Sequence, residues 1–219
     1  IENSIAGSIL PNLGILHNSR LQVTGEYYLH IRQNLMALPG VGLEGIEEVH
    51  SHPMALLQCV DFLDTHRWRL VETEDTALSA RRIAERGIRN AAAIAGDLAA
   101  ELFGLEIVAA DIHSIRNNYT RFLVLRPDHQ PIDERSDKAS LCFKTDHRHG
   151  SLIRVLREME DSTINMTKLQ SSPIPSEPWH YMFHVDMEFA CMDDYNRVIE
   201  RMRSVTSELH VYGVYRKGQ

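Results

Sequence analysis

The run Ala91–Ala95 (Ala-Ala-Ala-Ile-Ala) constrains the fold of this 219-residue chain more than any other segment. It is short and wholly apolar, which is typical of a parallel strand that is buried on both faces. Residues 75–86 before it and residues 96–103 after it each predict a helix followed by a glycine. A buried strand between two helices indicates an α/β layered fold with a mainly parallel sheet.

Further elements extend this alternation over residues 1–126. Short β-rich runs cover residues 21–23 and 28–31, and a helix is expected from Pro53 to about Thr65. Two more strands are predicted at residues 107–110 and 122–125. Ligands of such sheets usually lie at the carboxyl ends of the strands.

The order of elements changes after residues 127–138, which are polar, contain two prolines and lack periodicity. This segment predicts a linker between a domain over residues 1–126 and a domain over residues 139–219. The second domain predicts the order β-α-β-β-α-β. In its strand from Trp179, apolar and polar residues alternate, so the face with His180 and His184 is expected to be exposed.

Composition excludes several classes of protein. Hydrophobic residues make up 43% and charged residues 24% of the chain, as in globular proteins. The net charge of −7 argues against a nucleic acid partner. No apolar run approaches the roughly 20 residues that span a bilayer, and no signal-peptide pattern begins the chain, so neither a membrane partner nor secretion is expected.

The cysteines and histidines do not predict a metal centre or a cofactor. Cys59, Cys142 and Cys191 are far apart, which suggests neither a disulfide framework nor a thiolate site and fits a reducing cytoplasm. The two His-x-His pairs at residues 50–52 and 147–149 lack further ligands at suitable spacing. We therefore expect no metal, no cofactor and a cytoplasmic location.

Residues 117–122 (Asn-Asn-Tyr-Thr-Arg-Phe) carry the clearest chemical signal. They place the Thr120 hydroxyl and the Arg121 guanidinium side by side at the start of an apolar strand. A hydroxyl can donate or accept a hydrogen bond, and a guanidinium can bind a carboxylate with two parallel hydrogen bonds. The pair suits a small, anionic, oxygen-rich substrate.

Other motifs occur around this one in a fixed order from residue 1 to about residue 216. Those before it are Glu2-Asn3-Ser4, Gly7-Ser8, Gly25-Glu26, Ser51-His52-Pro53, Asp75-Thr76-Ala77 and Ala92–Ala95, and those after it are Gly150-Ser151-Leu152 and residues 164–169 (Ile-Asn-Met-Thr-Lys-Leu). Together with Thr120-Arg121-Phe122, this set resembles the prephenate dehydratases that carry a C-terminal ACT regulatory domain.

The resemblance implies a fold, a reaction and a set of residues. The fold is α/β, a two-lobed periplasmic-binding-protein-like catalytic domain followed by a βαββαβ ACT domain. The reaction is the decarboxylating dehydration of prephenate to phenylpyruvate in phenylalanine biosynthesis. The catalytic residues implied are Thr120, Arg121 and Asn118, and the substrate-binding residues implied are Glu2, Asn3, Ser4, Ser51, His52 and Phe122.

The resemblance also implies that phenylalanine binds the ACT domain as an effector. The expected contacts are Gly150, Ser151, Leu152, Asn165, Gln170, Ser171, Ser172 and Pro173. In this chain Gln170 and Ser172 occupy the glutamate and arginine positions of the Glu-Ser-Arg-Pro sequence that is usual in the family. The loss of one negative and one positive charge predicts weaker phenylalanine binding.

The family's catalytic domain begins upstream of the motif at Glu2, with a glycine-rich strand-turn-helix segment. Since this sequence starts at Ile1 without Met, residues 1–219 alone are expected to be inactive or very weakly active. The exposed edge of an ACT sheet predicts a homodimer or a homotetramer. Two alternatives remain open at this stage: an arogenate dehydratase, and a non-catalytic amino-acid-binding regulator.

Overall fold

The computed structural model describes residues 1–160 and 162–218, so Asp161 and Gln219 lie outside the described residues. The chain divides into two compact units. The first unit contains Ile1–Leu29 together with the chain from Thr120 onward, and the second contains His30–Tyr119.

The helices and strands are numbered in chain order. They are β1 (Glu2–Asn3), β2 (Gly7–Ser8), α1 (Leu10–Asn18), β3 (Gln22–His30), β4 (Asn34–Ala37), β5 (Glu48–Ser51), α2 (Pro53–Gln58), α3 (Val60–Leu63), β6 (Arg69–Glu72), α4 (Thr76–Arg86), β7 (Ala91–Ala95), α5 (Asp97–Phe103), β8 (Glu106–Ala109), β9 (Tyr119–Arg126), β10 (Lys138–Lys144), α6 (Ser151–Glu160), β11 (Asn165–Pro173), β12 (Tyr181–Glu188), α7 (Met192–Val205) and β13 (Glu208–Tyr215). A 3-10 helix, Leu43–Gly45, lies between β4 and β5.

The second unit is built on a five-stranded sheet with the order β6-β5-β7-β4-β8. Strand β5 is parallel to β6 and β7, whereas β4 is antiparallel to both β7 and β8. All five residues of β7 are fully buried, and separate apolar clusters pack on the two faces of the sheet. The prediction of a buried strand at Ala91–Ala95 is therefore confirmed, but only two of the four strand pairings in its sheet are parallel.

The helix capping signals are also confirmed at α4. The Asp75 carboxylate accepts a hydrogen bond from the Leu78 amide at 2.8 Å, which satisfies one of the free N–H groups of the first turn. Gly87 ends the helix with a φ of +63°, a left-handed conformation that glycine adopts without steric cost.

The predicted helix from Pro53 to Thr65 is instead two short helices, α2 and α3. The carbonyl of Gln58 accepts a hydrogen bond from the Ser114 amide at 2.8 Å, and the Phe62 amide bonds Cys59 instead. Because a residue distant in sequence uses a helical carbonyl, the helix is interrupted at Cys59. The runs at residues 21–23 and 28–31 likewise belong to one continuous strand, β3.

The first unit contains two four-stranded sheets, with the orders β2-β1-β9-β3 and β11-β12-β10-β13. The second of these, with α6 and α7, has the predicted β-α-β-β-α-β order. Apolar side chains of β10, β12 and both helices form its main core, which includes Leu141, Val155, Val185 and Val198.

The other face of this sheet is buried too, so the prediction of an exposed face at His184 is wrong. Met182, His184 and Asp186 of β12 are at most 6% exposed. Leu16 of α1 and Val23 of β3 pack in one cluster with Met182. Residues far away in the sequence therefore cover a face whose alternating pattern suggested contact with solvent.

Gly213 of β13 allows this close packing of the two sheets. A Cβ atom at this position would collide with the carbonyl oxygen of Val23 in β3. Glycine is thus required because two backbones approach each other directly.

Candidate active site

Strands β1 and β9 set the geometry around Thr120. They pair antiparallel, with Asn3 opposite Thr120 and Glu2 opposite Arg121. Successive side chains of a strand point to opposite faces, and directly paired residues share a face. The hydroxyl of Thr120 and the guanidinium of Arg121 therefore lie on opposite faces of the sheet, not side by side as the sequence interpretation has them.

Asn3 and Thr120 form a hydrogen-bonded pair on one face. The Asn3 side-chain amide donates to the Thr120 hydroxyl oxygen at 3.0 Å. The Asn3 side-chain oxygen accepts from the backbone amides of Ile5 and Ala6 at 2.9 and 3.0 Å. Since that oxygen is held by two N–H donors, the NH₂ group must face Thr120. The oxygen of Thr120 accepts a hydrogen bond, which leaves its own hydrogen available to donate elsewhere.

Arg121 points into the interior on the opposite face, where it is 3% exposed. Its Nε donates to Glu26 at 2.6 Å, its Nη1 contacts Asp186, and its Nη2 donates to the Tyr215 hydroxyl at 3.1 Å. Lys138 donates to the other oxygen of Glu26 at 2.9 Å. We call Arg121, Glu26, Asp186, Lys138 and Tyr215 the buried ion cluster.

The two cations of this cluster, Arg121 and Lys138, are balanced by the two carboxylates of Glu26 and Asp186, and a second pair at its rim keeps this balance. Glu2 contacts both Arg121 and Lys168, which adds one anion and one cation. Burial alone lowers the pKa of Arg121, but the adjacent Asp186, Tyr215 and Glu26 outweigh burial and raise this pKa above its ordinary value. Arg121 is thus a permanent cation whose three nitrogen atoms are all engaged. This geometry does not support a direct contact with a substrate carboxylate.

The remaining predicted residues of the first unit lie near the surface. Ser4 is exposed, and Phe122 is 47% exposed. Phe122, Leu123 and Leu125 line an apolar groove with residues of α1, and the volume of this groove is about 240 Å³. Phe122, two residues after Thr120 in β9, therefore belongs to an apolar surface.

Three predicted residues lie in the second unit. Ser51, at the end of β5, is fully buried and donates its hydroxyl hydrogen to the Ile94 carbonyl at 2.6 Å. His52 caps α2, since its Nδ1 accepts from the Met54 amide at 3.2 Å. Asn118 is 1% exposed, and its carbonyl accepts from the Ile31 amide at 2.8 Å. Ser51 and His52 thus occupy the carboxyl end of a parallel strand.

The first predicted effector segment borders a cavity in the first unit. Gly150, Ser151 and Leu152 line a cavity of about 540 Å³, together with Phe183 and the preceding loop. Gly150 has a φ of +76°, and the Ser151 hydroxyl donates to Asp146 at 2.6 Å. Asp146 also accepts from Arg154. The hydrogen bond from Ser151 is the largest of the causes that lower the pKa of the Asp146 carboxyl below its ordinary value.

The second predicted effector segment pairs with the strand that carries Phe183, a residue that lines this cavity. Ser171 of β11 pairs across the sheet with Phe183, whereas Asn165 pairs with Glu188 at the other end of the strand. At about 3.4 Å per residue, Asn165 lies roughly 20 Å from Ser171 along β11. Ser171 and Pro173 thus share a face with Phe183, whereas the side chains of Gln170 and Ser172 lie on the opposite face with His184. Asn165 lies at the far end of the strand.

Ser172 of the second predicted effector segment contacts the buried side chain of His184. Its hydroxyl lies 2.9 Å from Nε2 of His184, and Nδ1 of His184 lies 3.1 Å from the Tyr212 hydroxyl. Burial, and then the nearby His17 and Lys168, lower the pKa of His184 to about 4. His184 is therefore neutral at pH 7 and can donate through only one of its nitrogen atoms.

Within the part of the chain that the structure describes, no group of three or more His, Cys, Asp or Glu side chains could hold a metal ion. The three cysteines are free thiols, and burial raises the pKa of Cys59 to about 12 and that of Cys142 to about 11. Over the same residues, none of the helices has the length and apolar character needed to cross a membrane.

The sequence of this chain is similar to a family profile and to curated relatives, among them two whose descriptions include prephenate dehydratase. The sequence profile described as Prephenate dehydratase matches residues 1–130. The bifunctional chorismate mutase/prephenate dehydratase of Neisseria gonorrhoeae is 38% identical over 221 residues, which cover 98% of this chain and 60% of the relative. Arogenate dehydratase/prephenate dehydratase 2, chloroplastic, of Arabidopsis thaliana is 35% identical over 226 residues, which cover 98% of this chain and 59% of the relative.

Two solved structures match almost the whole chain. A prephenate dehydratase from Arthrobacter aurescens in complex with L-Phe has a TM-score of 0.84 and 26% identity, and the match covers 96% of this chain and 71% of that chain. GqqA, described as a novel type of quorum quenching acylase, has a TM-score of 0.90 and 26% identity, with 99% and 80% covered.

The chain thus combines an α/β unit with a βαββαβ arrangement of the ACT type, which confirms the predicted fold class. Because the profile covers more than half of the residues, the chain belongs to the prephenate dehydratase family. It spans about three fifths of the length of the curated relatives it matches.

Sequence reasoning missed the partners of Arg121. Glu26 occurs in the Gly25-Glu26 motif, but no sequence motif marks Lys138, Asp186 or Tyr215 as neighbours of this cluster. Acidic side chains are uncommon inside strands, so Asp186 between Val185 and Met187 was an available signal. A buried acid within a strand predicts a buried cation opposite it.

We predict that His184 makes the protein less stable in acid. The folded pKa of about 4 lies below the ordinary value of 6.5, so the unfolded chain binds the proton more tightly. Stability is therefore lost as pH falls from about 6.5 to about 4, by up to about 3 kcal/mol. Urea denaturation of the native protein and of His184→Gln at several pH values measures this difference.

The difference in unfolding free energy between native protein and His184→Gln should shrink as pH falls through this window. A His129→Gln variant, at an exposed histidine, controls for the loss of one histidine. A difference that stays constant from pH 7 to pH 4 would contradict the prediction.

Proposed function

We propose that the full-length protein containing this chain is a prephenate dehydratase, which converts prephenate to phenylpyruvate. The observation that carries the proposal is the Asn3–Thr120 hydrogen bond of 3.0 Å. Both residues lie inside the segment that matches the family profile. They form a polar pair across strands β1 and β9, and further side chains of β9 supply an apolar surface.

The reaction breaks two bonds, each of which joins a substituent to the same ring. The bond between the ring and its carboxylate breaks, and its electron pair forms a new double bond in the ring. The ring hydroxyl leaves with the electron pair of its own C–O bond and takes up one proton. The products are phenylpyruvate, carbon dioxide and water, so atoms and charges balance. The enzyme must supply a proton donor at the leaving oxygen.

Thr120 is the proposed donor, or the hydrogen-bond relay to it. A threonine hydroxyl is a weak acid, so its contribution must come from accurate positioning. The Asn3 amide helps in two ways. It fixes the hydroxyl oxygen, so that the hydroxyl hydrogen points away from Asn3, and it stabilises negative charge that develops on that oxygen.

The other predicted residues have supporting roles in this proposal. Ser4 is proposed to contact the substrate, and Asn118 is proposed to orient the chain that leads into Thr120. Ser51 and His52 are proposed to shape the turn after β5, since both of their side chains bond the backbone. Phe122 supplies apolar surface, and Arg121 and Glu2 act through the buried ion cluster.

Arogenate is a second candidate substrate, because the Arabidopsis relative carries both activities in its name. Arogenate and prephenate differ by one amino group. Kinetics with both substrates under the same conditions decide between them, and the ratio of the two kcat/KM values defines the preference.

We predict that Thr120→Ala in the full-length protein lowers kcat for prephenate by at least about a hundredfold, because a positioned proton-transfer group is lost. Thr120→Ser keeps the hydroxyl and should retain most of the activity. Formation of phenylpyruvate, followed after addition of alkali, measures both variants.

Thr24→Ala is the matched control. Thr24 lies in the neighbouring strand of the same sheet and bonds the Val124 carbonyl at 3.4 Å. We expect native kcat from this variant. Native turnover in Thr120→Ala would remove Thr120 from the mechanism, and absence of turnover in the native protein would contradict the proposed function.

Phenylalanine is proposed as an effector that binds at the 540 Å³ cavity beside Gly150. The Arthrobacter neighbour was solved with L-Phe. Here the side chains of Gln170 and Ser172 bond the Ser171 carbonyl and His184, so neither presents a charge to an amino acid. The proposal includes assembly through this domain as a homodimer or homotetramer, with β11 as an available sheet edge.

We predict that the double variant Gln170→Glu/Ser172→Arg binds phenylalanine more tightly than the native chain, by about tenfold or more, because charged groups bond the ammonium and carboxylate more strongly. Calorimetric titration measures both affinities. Gln130→Glu/Ser204→Arg makes the same charge changes at exposed positions and serves as the control. Equal affinities for all three proteins would show that these charges do not matter.

A further inference from the structure

The members of the buried ion cluster come from five strands and two sheets. Arg121 belongs to β9 and Glu26 to β3, in the sheet that carries Thr120. Lys138, Asp186 and Tyr215 belong to β10, β12 and β13 of the βαββαβ sheet. The Arg121–Glu26 pair therefore lies within the Thr120 sheet, whereas the Arg121–Asp186 and Lys138–Glu26 pairs connect that sheet to the βαββαβ sheet.

The contacts within the cluster are saturated and short. Glu26, whose side chain is fully buried, accepts from Arg121, from Lys138 and from the Gly218 amide at 3.0 Å. The Tyr215 hydroxyl accepts from Arg121 and lies 2.7 Å from the Ser140 hydroxyl. A guanidinium held by partners in three directions has little freedom to move.

The fixed position of Arg121 also restricts the backbone of Thr120. Arg121 is the next residue in the strand, so the backbone between the two is fixed from both faces: Asn3 holds Thr120 and the cluster holds Arg121. A displacement of about 1 Å in a reacting group can cost a hundredfold in rate. The position of the Thr120 hydroxyl therefore depends on contacts that Arg121 makes on the opposite face.

Asp186 also connects the cluster to the predicted effector cavity. It lies in the same strand as Phe183, which lines that cavity, and it pairs with Lys168 of β11. A displacement of β12 at the cavity would therefore move Asp186, and Asp186 contacts Arg121 in a buried ion pair.

We propose that Arg121 is a positioning residue: it holds Thr120 in its active position and, through Asp186, makes turnover depend on the βαββαβ sheet. This inference rests on the proposed dehydratase function. It differs from the role in substrate binding that the sequence suggested for Arg121. Since Arg121 acts through Thr120, its loss should lower kcat and leave KM nearly unchanged.

The test separates positioning from stability. Single removal of a buried charge leaves its partner uncompensated, whereas replacement of both partners by apolar residues of similar volume often preserves stability. Arg121→Met/Asp186→Leu in the full-length protein should keep a native-like melting temperature but lower kcat by at least about tenfold, with KM changed by less than about threefold.

Tyr215→Phe is a milder variant, which removes one hydroxyl contact and keeps the ring. It should lower kcat by a few-fold with unchanged KM, and it keeps the inference testable if the double variant does not fold. Arg135→Met/Asp133→Leu removes an ion pair of the same unit whose members are exposed, and it should leave kcat and KM native.

The outcomes distinguish the two proposals. Lack of prephenate turnover in the native protein would overturn the proposed function. Native turnover together with native kcat in a folded Arg121→Met/Asp186→Leu variant, or in Tyr215→Phe, would overturn the positioning role alone. A rise in KM with unchanged kcat would assign Arg121 to substrate binding and would also overturn it.

Discussion

The compensation of one buried cation, Arg121, is the constraint on which the first unit of this protein depends. A charged guanidinium can be buried only where anions and hydrogen-bond acceptors surround it. Glu26 and Asp186 meet this requirement from two different sheets. Because both carboxylates must reach one guanidinium, β3, β9 and β12 have to meet at this point. The close approach of Gly213 to Val23 completes the same packing.

This arrangement gives the adjacent residues Thr120 and Arg121 separate tasks. The twofold alternation of a strand sends the hydroxyl to the face shared with Asn3 and the guanidinium to the interior. The hydroxyl thereby lies on the face where the proposed reaction would use it, while the strand that carries it packs against the βαββαβ sheet. Catalysis and regulation in the proposed dehydratase are then connected by packing within a single compact unit.

The sequence predicted the features that depend on local signals. Ala91–Ala95 is apolar at every position, and Asp75 bears a capping side chain, so the strand and the helix could be recognised from neighbouring residues. The face of β12 could not be assigned in this way, because residues of α1 and β3, far away in the sequence, pack in one cluster with Met182 on that face. Thr120 was recognised through the family motif, but its strand was predicted to begin only at Phe122, which hid the alternation that separates it from Arg121.

Hydrogen exchange of the β9 amides tests most directly whether the cluster holds the Thr120 strand. Mass spectrometry of the native protein and of Asp186→Asn compares peptides from β9 with peptides from β7 of the other unit. We expect Asp186→Asn to accelerate exchange in β9 by at least about tenfold, the result of roughly 1.4 kcal/mol of lost local stability. Exchange in β7 should remain native. Unchanged exchange in β9, or equal acceleration in both strands, would show that the buried ion cluster does not hold the Thr120 strand.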